Sequence, residues 1–192
     1  MESQVEAPDI SEEVLDCFQE GVIGTLRNVW VEPPSCSRRG QAGLPREGIT
    51  GLMDLRGKPA LHFALGFSRE AATHVALRYF DFEIEYDSSD MDDAVGEITN
   101  AVAGDISARL EQVGVDAELS QPTVRRDLAE VDGDENEPVC RTINAPRLEI
   151  FLKVAPGPDG DDQLVAVAAS DADGEGKQSR GGLLNWIRSL WQ

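Results

Sequence analysis

The sequence predicts an α+β domain, an antiparallel sheet with two or three long helices packed on it. Three observations carry that expectation. Apolar residues recur at helical spacing near 11–29, 69–80 and 89–113. They alternate with a period of two in "GITGLMDLRGKPALHFALGFS", and again in "RLEIFLKV" and "QLVAVAAS". The order along the chain is helix, hairpin, two helices, then strands.

Residues 1–10 read as a flexible N-terminus, and the folded domain is expected over 11–170. Asp9 or Ser11 can cap the first helix, with Glu12 three residues after Asp9. Val14, Phe18, Val22, Leu26 and Val29 then carry it from about 11 to 29. "EPPSCSRRGQAGLPREG" is rich in Pro, Gly and Arg and reads as a loop, with a short edge strand near Val29 to Glu32. In the hairpin, Ile49, Gly51, Met53 and Leu55 share one face, as do Leu61, Phe63, Leu65 and Phe67, with "RGKP" as the turn. Ser68 caps a second helix that buries Ala72, Val75, Ala76, Tyr79 and Phe80.

Beyond the third helix, "AELSQPTVRR" is strand-like, with Pro122 marking an edge or an irregularity. "DLAEVDGDENEPVC" reads as an acidic loop. "RLEIFLKV" and "QLVAVAAS" are expected to finish the sheet across the turn-rich "APGPDGDD". Residues 171–182 have linker composition. Residues 183–192 form a short amphipathic C-terminal helix, with Leu183, Leu184, Ile187, Leu190 and Trp191 on one side. Such a helix is marginal alone, so it is expected to order on docking, against the acidic body, a partner groove or a membrane surface. Lys177, Arg180 and Arg188 are thin for membrane anchoring.

Charge narrows the functions. The 192 residues carry a formal net charge of −19, which repels nucleic acid and anionic membrane. The three cysteines, Cys17, Cys36 and Cys140, are scattered and suit reduced thiols in a cytoplasmic protein. "MESQVEAPDISEE" is acidic and is no signal peptide, and no apolar run approaches the ~20 residues of a membrane span. His62 and His74 have no ligand array around them and read as structural. "GEGKQS" fails as a phosphate loop: it lacks the first Gly, and Gln178 follows the Lys.

The third helix, "MDDAVGEITNAVAGD" and onward, is the informative segment. On a wheel of about 100° per residue, Met91, Val95, Ile98, Val102, Ile106 and Val113 form the core stripe. Glu97 and Asn100 fall on the opposite side, three residues apart, with Cβ atoms about 5–6 Å from each other. Around them stand Gly96, Ala101, Gly104 and Ala108. A glycine costs an exposed helix roughly 1 kcal/mol relative to Ala, so the trimmed face needs a reason. Two are open: close packing against another helix or subunit of the same protein, or the approach of a partner surface to Glu97 and Asn100.

The string "DAVGEITNAVAGDISARL" closely resembles the signature helix of the CheX-type chemotaxis phosphatases, within the CheC/CheX/FliY superfamily. At lower strength, "ITGLMDLRGKPALHFALGFSREAATHVALRYF" is similar to that family's hairpin and following helix, and "ELSQPTV" to its next strand. The last two strands are similar to its C-terminal hairpin. The family's E-x-x-N motif is matched by Glu97 and Asn100. The resemblance implies a CheX/CheC-like fold and a hydrolase acting on a phosphorylated CheY-like response regulator. Asn100 would orient a water for attack on phosphorus, and Glu97 would pair with the regulator's lysine. Gly96, Ala101, Gly104 and Ala108 would then form the docking ridge. Mg²⁺ would be the partner's, leaving this chain no cofactor or metal of its own. One E-x-x-N per chain fits the CheX branch, whose members are homodimers.

The residue types suit that chemistry. Phosphoryl transfer leaves little covalent work, so positioning and charge compensation dominate. An amide can both donate and accept, whereas an ionised carboxylate cannot donate and would repel the phosphate. Two departures stand out. Asp105 follows Gly104 where the family run often has an amide, and could weaken docking or tune partner choice. The first helix offers only Asp16 and Gln19, an acid–amide pair that reads as an ordinary polar face. The alternative is a non-catalytic module that binds a receiver domain or a flagellar component.

Overall fold

A computed structural model describes residues 10–38, 47–126, 139–145 and 148–156 of the chain. Its elements are α1 (Glu12–Thr25), β1 (Ser35–Arg38), β2 (Gly48–Gly57), β3 (Leu61–Ser68), α2 (Arg69–Phe80), α3 (Ser89–Gln112), β4 (Ala117–Leu119), β5 (Thr123–Arg126), β6 (Val139–Ala145) and β7 (Leu148–Pro156). The described residues thus hold three helices and one antiparallel sheet of seven strands, in the order β1-β6-β7-β3-β2-β4 with β5 also on β2. This is the α+β class that the periodicities predict.

The predicted hairpin is the centre of the sheet. Ile49 pairs with Phe67, Gly51 with Leu65, Met53 with Phe63 and Leu55 with Leu61. Partners in register share a face, and these residues are buried against the helices. The turn runs through Lys58–Pro59, a cis peptide. Ser68 ends β3 and caps α2, its Oγ accepting from the Ala71 amide at 3.2 Å. β4 and β5 lie along β2 as one interrupted strand: β4 pairs at Leu55–Gly57 and β5 at Ile49–Leu52. Pro122 falls in the break, the irregularity expected of it. Ser120 stitches the gap, its amide donating to Asp54 O at 2.9 Å and its Oγ accepting from the Asp54 amide at 3.0 Å.

The helices cover one face. Phe18 of α1 meets Phe63 of β3 edge to face at 5.7 Å between ring centroids. α1 crosses α3 where Gly21 faces Ile106, leaving no room for a Cβ. α3 begins with Asp90 and Asp92 in its first turn, where the helix dipole favours anions. It ends in a Schellman motif: Val115 N–H reaches Leu110 O at 2.9 Å, and Gly114 N–H reaches Glu111 O at 3.1 Å. Gly114 takes φ +82°, which a side chain would resist. At the other end, Arg126 of β5 donates to Asp92 Oδ1 at 2.8 Å and to Tyr86 O at 2.7 Å. Tyr86 is held between two guanidinium groups, with Arg69 at 4.0 Å and Arg126 at 4.8 Å from its ring centroid.

Three expectations are corrected. α1 stops at Thr25, four residues short of the apolar stripe, because Leu26–Val29 turn on tighter bonds such as Arg27 N to Gly24 O. Leu26 and Val29 remain buried, so the stripe outlasts the helix. The edge strand lies at Ser35–Arg38 rather than near Val29–Glu32; Pro33 and Pro34 have no N–H for a ladder, so pairing begins after them. β6 falls where the sequence suggests no strand beyond the acidic loop. Thr142 and Ile143 are both buried, so the alternation that marks a half-buried strand is missing. β6, not "QLVAVAAS", is the hairpin partner of β7 among the described residues. Residues 1–9, the 163–170 segment, the 171–182 linker and the 183–192 helix lie outside the described residues.

Candidate functional site

The site is the outer ridge of α3. The stripe predicted from the wheel is the buried one: Met91, Val95, Ile98, Val102 and Ile106 are all within the core. Val113, expected to extend it, is the half-buried C-cap residue. With that stripe pinned to the sheet, rotation about the helix axis is settled, and the opposite side must face outward. Asn100 is exposed and Glu97 half-buried. Among the described residues, neither side chain has a hydrogen bond or an ion pair with its own chain. The first-helix pair differs: Asp16 and Gln19 are both engaged.

The four small residues separate into two kinds. Gly104 and Ala108 are exposed. A Cβ built on Gly104 would meet nothing within 4 Å among the described residues, so no packing among them requires glycine there. Ala101 and Gly96 are half-buried. A Cβ on Gly96 would touch Val124 of β5 at 3.6 Å, an ordinary contact. Close packing among the described residues therefore does not account for the bare stretch at Gly104.

Electrostatics distinguish the two polar residues. Tyr79 of α2 lies close enough to Glu97 to feel it: burial first, and then the Glu97 charge, push the phenol above its ordinary range. Tyr79 is a neighbour of the site that the sequence places only in the core of α2, since nothing in one string brings α2 beside α3. Asp105 is turned towards α1. Its Oδ2 accepts from Arg109 Nε at 3.2 Å, and Arg109 Nη1 donates to Glu20 Oε2 at 2.8 Å. No group of three or more His, Cys, Asp or Glu side chains converges as a metal site among the described residues. His62 Nδ1 pairs with Asp54 Oδ1 at 2.5 Å on the hairpin, away from α3, and His74 is exposed.

An α+β domain with these three helices and an antiparallel sheet of this strand order is CheX/CheC-like in fold. Residues 49–139 match the family model "Chemotaxis phosphatase CheX". Among solved structures, the chain is similar to the chemotaxis protein CheX from Vibrio vulnificus, with 18% identity over 74% of this chain and 98% of that one, at a TM-score of 0.64. It is similar to a CheX from Desulfovibrio desulfuricans at 17% identity, covering 76% and 99% of the two chains, with a TM-score of 0.63. A third likeness is to the CheX–CheY–BeF3–Mg²⁺ complex from Borrelia burgdorferi, with 15% identity, 74% and 96% coverage and a TM-score of 0.60. No curated protein matches. These matches bear out the resemblance read from the helix string: the chain is CheX-type in pattern over 49–139 and CheX/CheC-like in fold.

Proposed function

We propose that this chain is a phosphatase for the aspartyl phosphate of a CheY-like response regulator, with Asn100 and Glu97 as its working residues. The observation that carries this reading is the Asn100 amide, exposed on a ridge that is bare at Gly104 and without a hydrogen bond to its own chain among the described residues. The family model, described as a chemotaxis phosphatase, and the likeness to a CheX solved with CheY support it.

The ridge enters the regulator's phosphorylated pocket. The Asn100 carbonyl oxygen accepts from a water and its NH2 donates to a phosphoryl oxygen, holding the water in line with the P–O bond to the aspartate. The water–phosphorus bond forms as that P–O bond breaks. Inorganic phosphate leaves, and the regulator's carboxylate is regenerated. Glu97 pairs with the regulator's lysine and sets the register of docking. Mg²⁺ belongs to the regulator. Ala101 and Ala108 keep the flanks of the ridge low, as Gly96 and Gly104 do. By family resemblance the working form is a cytoplasmic homodimer, which a titration of mass against concentration tests.

The decisive assay uses a CheY-like receiver phosphorylated by a small-molecule donor. Wild type should speed loss of the phosphate, and Asn100→Ala should remove that gain. A wild type that binds the receiver yet never exceeds its spontaneous decay would establish the binding-module reading instead.

A further inference from the structure

The sheet-facing side of α3 carries an unusual contact. Thr99, the residue just before Asn100, is fully buried. Its Oγ1 donates to Val95 O at 2.7 Å, which satisfies the hydroxyl inside the helix and holds the side chain in one orientation. What it meets is not a side chain but the backbone of β2 at Gly51. A Cβ on Gly51 would overlap Thr99 Oγ1 and lie 2.9 Å from Thr99 Cβ and 3.0 Å from its Cγ2. Glycine weakens a strand interior, so its presence here marks a close approach.

Gly51 is not on a loose edge. It pairs with Leu65 of β3 on one side and Val124 of β5 on the other. Val124 is also the residue beneath Gly96, at 3.6 Å from the position of an added Cβ. The segment 96–100 therefore rests on two adjacent points of the sheet, Gly51 under Thr99 and Val124 under Gly96. Both contacts support the turn of α3 that carries Glu97 and Asn100.

We propose that the Gly51–Thr99 contact sets the height of Asn100 above the sheet, which makes Gly51 and Thr99 positioning residues for receiver dephosphorylation. This rests on the phosphatase reading above. Any side chain on residue 51 lifts or rotates this turn of α3, and in-line attack tolerates little displacement: a shift of about 1 Å can cost on the order of 100-fold in rate. The side chains of the outer ridge keep their identity and shift together, so docking suffers less than the in-line geometry.

The test is a set of variants assayed with phosphorylated receiver over a range of protein concentrations, alongside their crystal structures. Gly51→Ala should lower the saturating rate by about 10- to 100-fold, while the half-saturating concentration moves less than about threefold. Thr99→Gly removes the overlapped Oγ1 together with Cβ and Cγ2, so Gly51→Ala/Thr99→Gly should return to within about threefold of Thr99→Gly alone. In the crystal structures, residues 96–104 should stand about 1 Å further from β2 in the single variant and return in the double. If Gly51→Ala fails to fold, Thr99→Ile adds bulk to the same contact and should show the same split. A folded Gly51→Ala with the wild-type saturating rate overturns the proposal, as does a loss that the double variant does not recover. Should wild type not accelerate receiver decay at all, the phosphatase reading fails, and the backbone alone judges the contact: an unmoved α3 overturns it.

Discussion

Asp105 accepts a hydrogen bond from Arg109 one turn further along α3, at 3.2 Å. That bond bears on the one residue of the helix that departs from the family pattern. Arg109 in turn bonds Glu20 of α1 at 2.8 Å, so the Asp105 charge is compensated and turned to the α1 side. The carboxylate is about 140° around the helix from Asn100, a separation that keeps it off the reactive ridge.

It follows that Asp105→Asn should leave receiver dephosphorylation within about twofold of wild type, and lower stability by less than about 1 kcal/mol, as for a partly exposed ion pair. Arg109→Ala should be worse for both. It removes the partner of two carboxylates and leaves Asp105 uncompensated next to Gly104. Chemical denaturation and the phosphate-loss assay measure the two effects. A large gain in receiver affinity on Asp105→Asn alone would mean that the charge opposes docking despite Arg109.

Glu97 and Asn100 should fail differently. On the proposed reading, Glu97→Ala removes an interfacial charge pair and should raise the half-saturating concentration on the order of tenfold. On the same reading, Asn100→Ala removes a group that acts in the transition state and should lower the saturating rate by about 100-fold or more, with a smaller change in binding. Titrating each variant against a receiver held in its phosphorylated form by beryllofluoride separates the two effects. Equal losses in binding would undo the assignment of separate roles.

The outward facing of Asn100 was legible because a helix wheel needs only local periodicity. Met91 to Ile106 repeat cleanly enough to orient Asn100 without knowledge of any other element. What surrounds the site was not legible, because it is made by long-range packing. Tyr79 comes to Glu97 from α2, Gly51 comes to Thr99 from β2, and Arg109 reaches Glu20 across the α1–α3 crossing. Gly96 and Gly104 look alike in the string, yet one has Val124 beneath it and the other open space. β6 escaped for a related reason: Thr142 and Ile143 are buried on successive positions, so its burial does not follow the period of two.

Tyr79 provides an optical probe of Glu97. Its phenol is raised above the ordinary value near 10, by burial and then by the Glu97 carboxylate. The folded state thus favours neutral Tyr79. The stability this contributes is fully present below the ordinary phenol pKa and is lost as pH rises through the folded one. In Glu97→Gln the second cause disappears while burial remains, so Tyr79 should titrate at lower pH than in wild type, yet still above an exposed tyrosine. The difference in ultraviolet absorbance between each protein and its Tyr79→Phe counterpart isolates this residue from Tyr86. An unchanged titration would place the Glu97 carboxylate farther from the phenol than α2 and α3 now hold it.

Gly104 separates the needs of the fold from those of a partner. Its added Cβ would meet nothing within 4 Å, and it sits inside a 24-residue helix. Gly104→Ala should therefore stabilise the protein by up to about 1 kcal/mol, through helix propensity and the lower entropy of the unfolded chain. Gly104→Leu should also fold as well as wild type, since the space above it is open, but it raises a branched side chain one turn beyond Asn100, where the receiver must approach. Receiver affinity should then fall by about tenfold or more, a loss of about 1.4 kcal/mol. Thermal unfolding and receiver titration on the same two variants give opposite signs if the ridge is the docking surface. If Leu at this position leaves affinity untouched, a receiver does not approach α3 along this turn, and the bare helix face has some other cause.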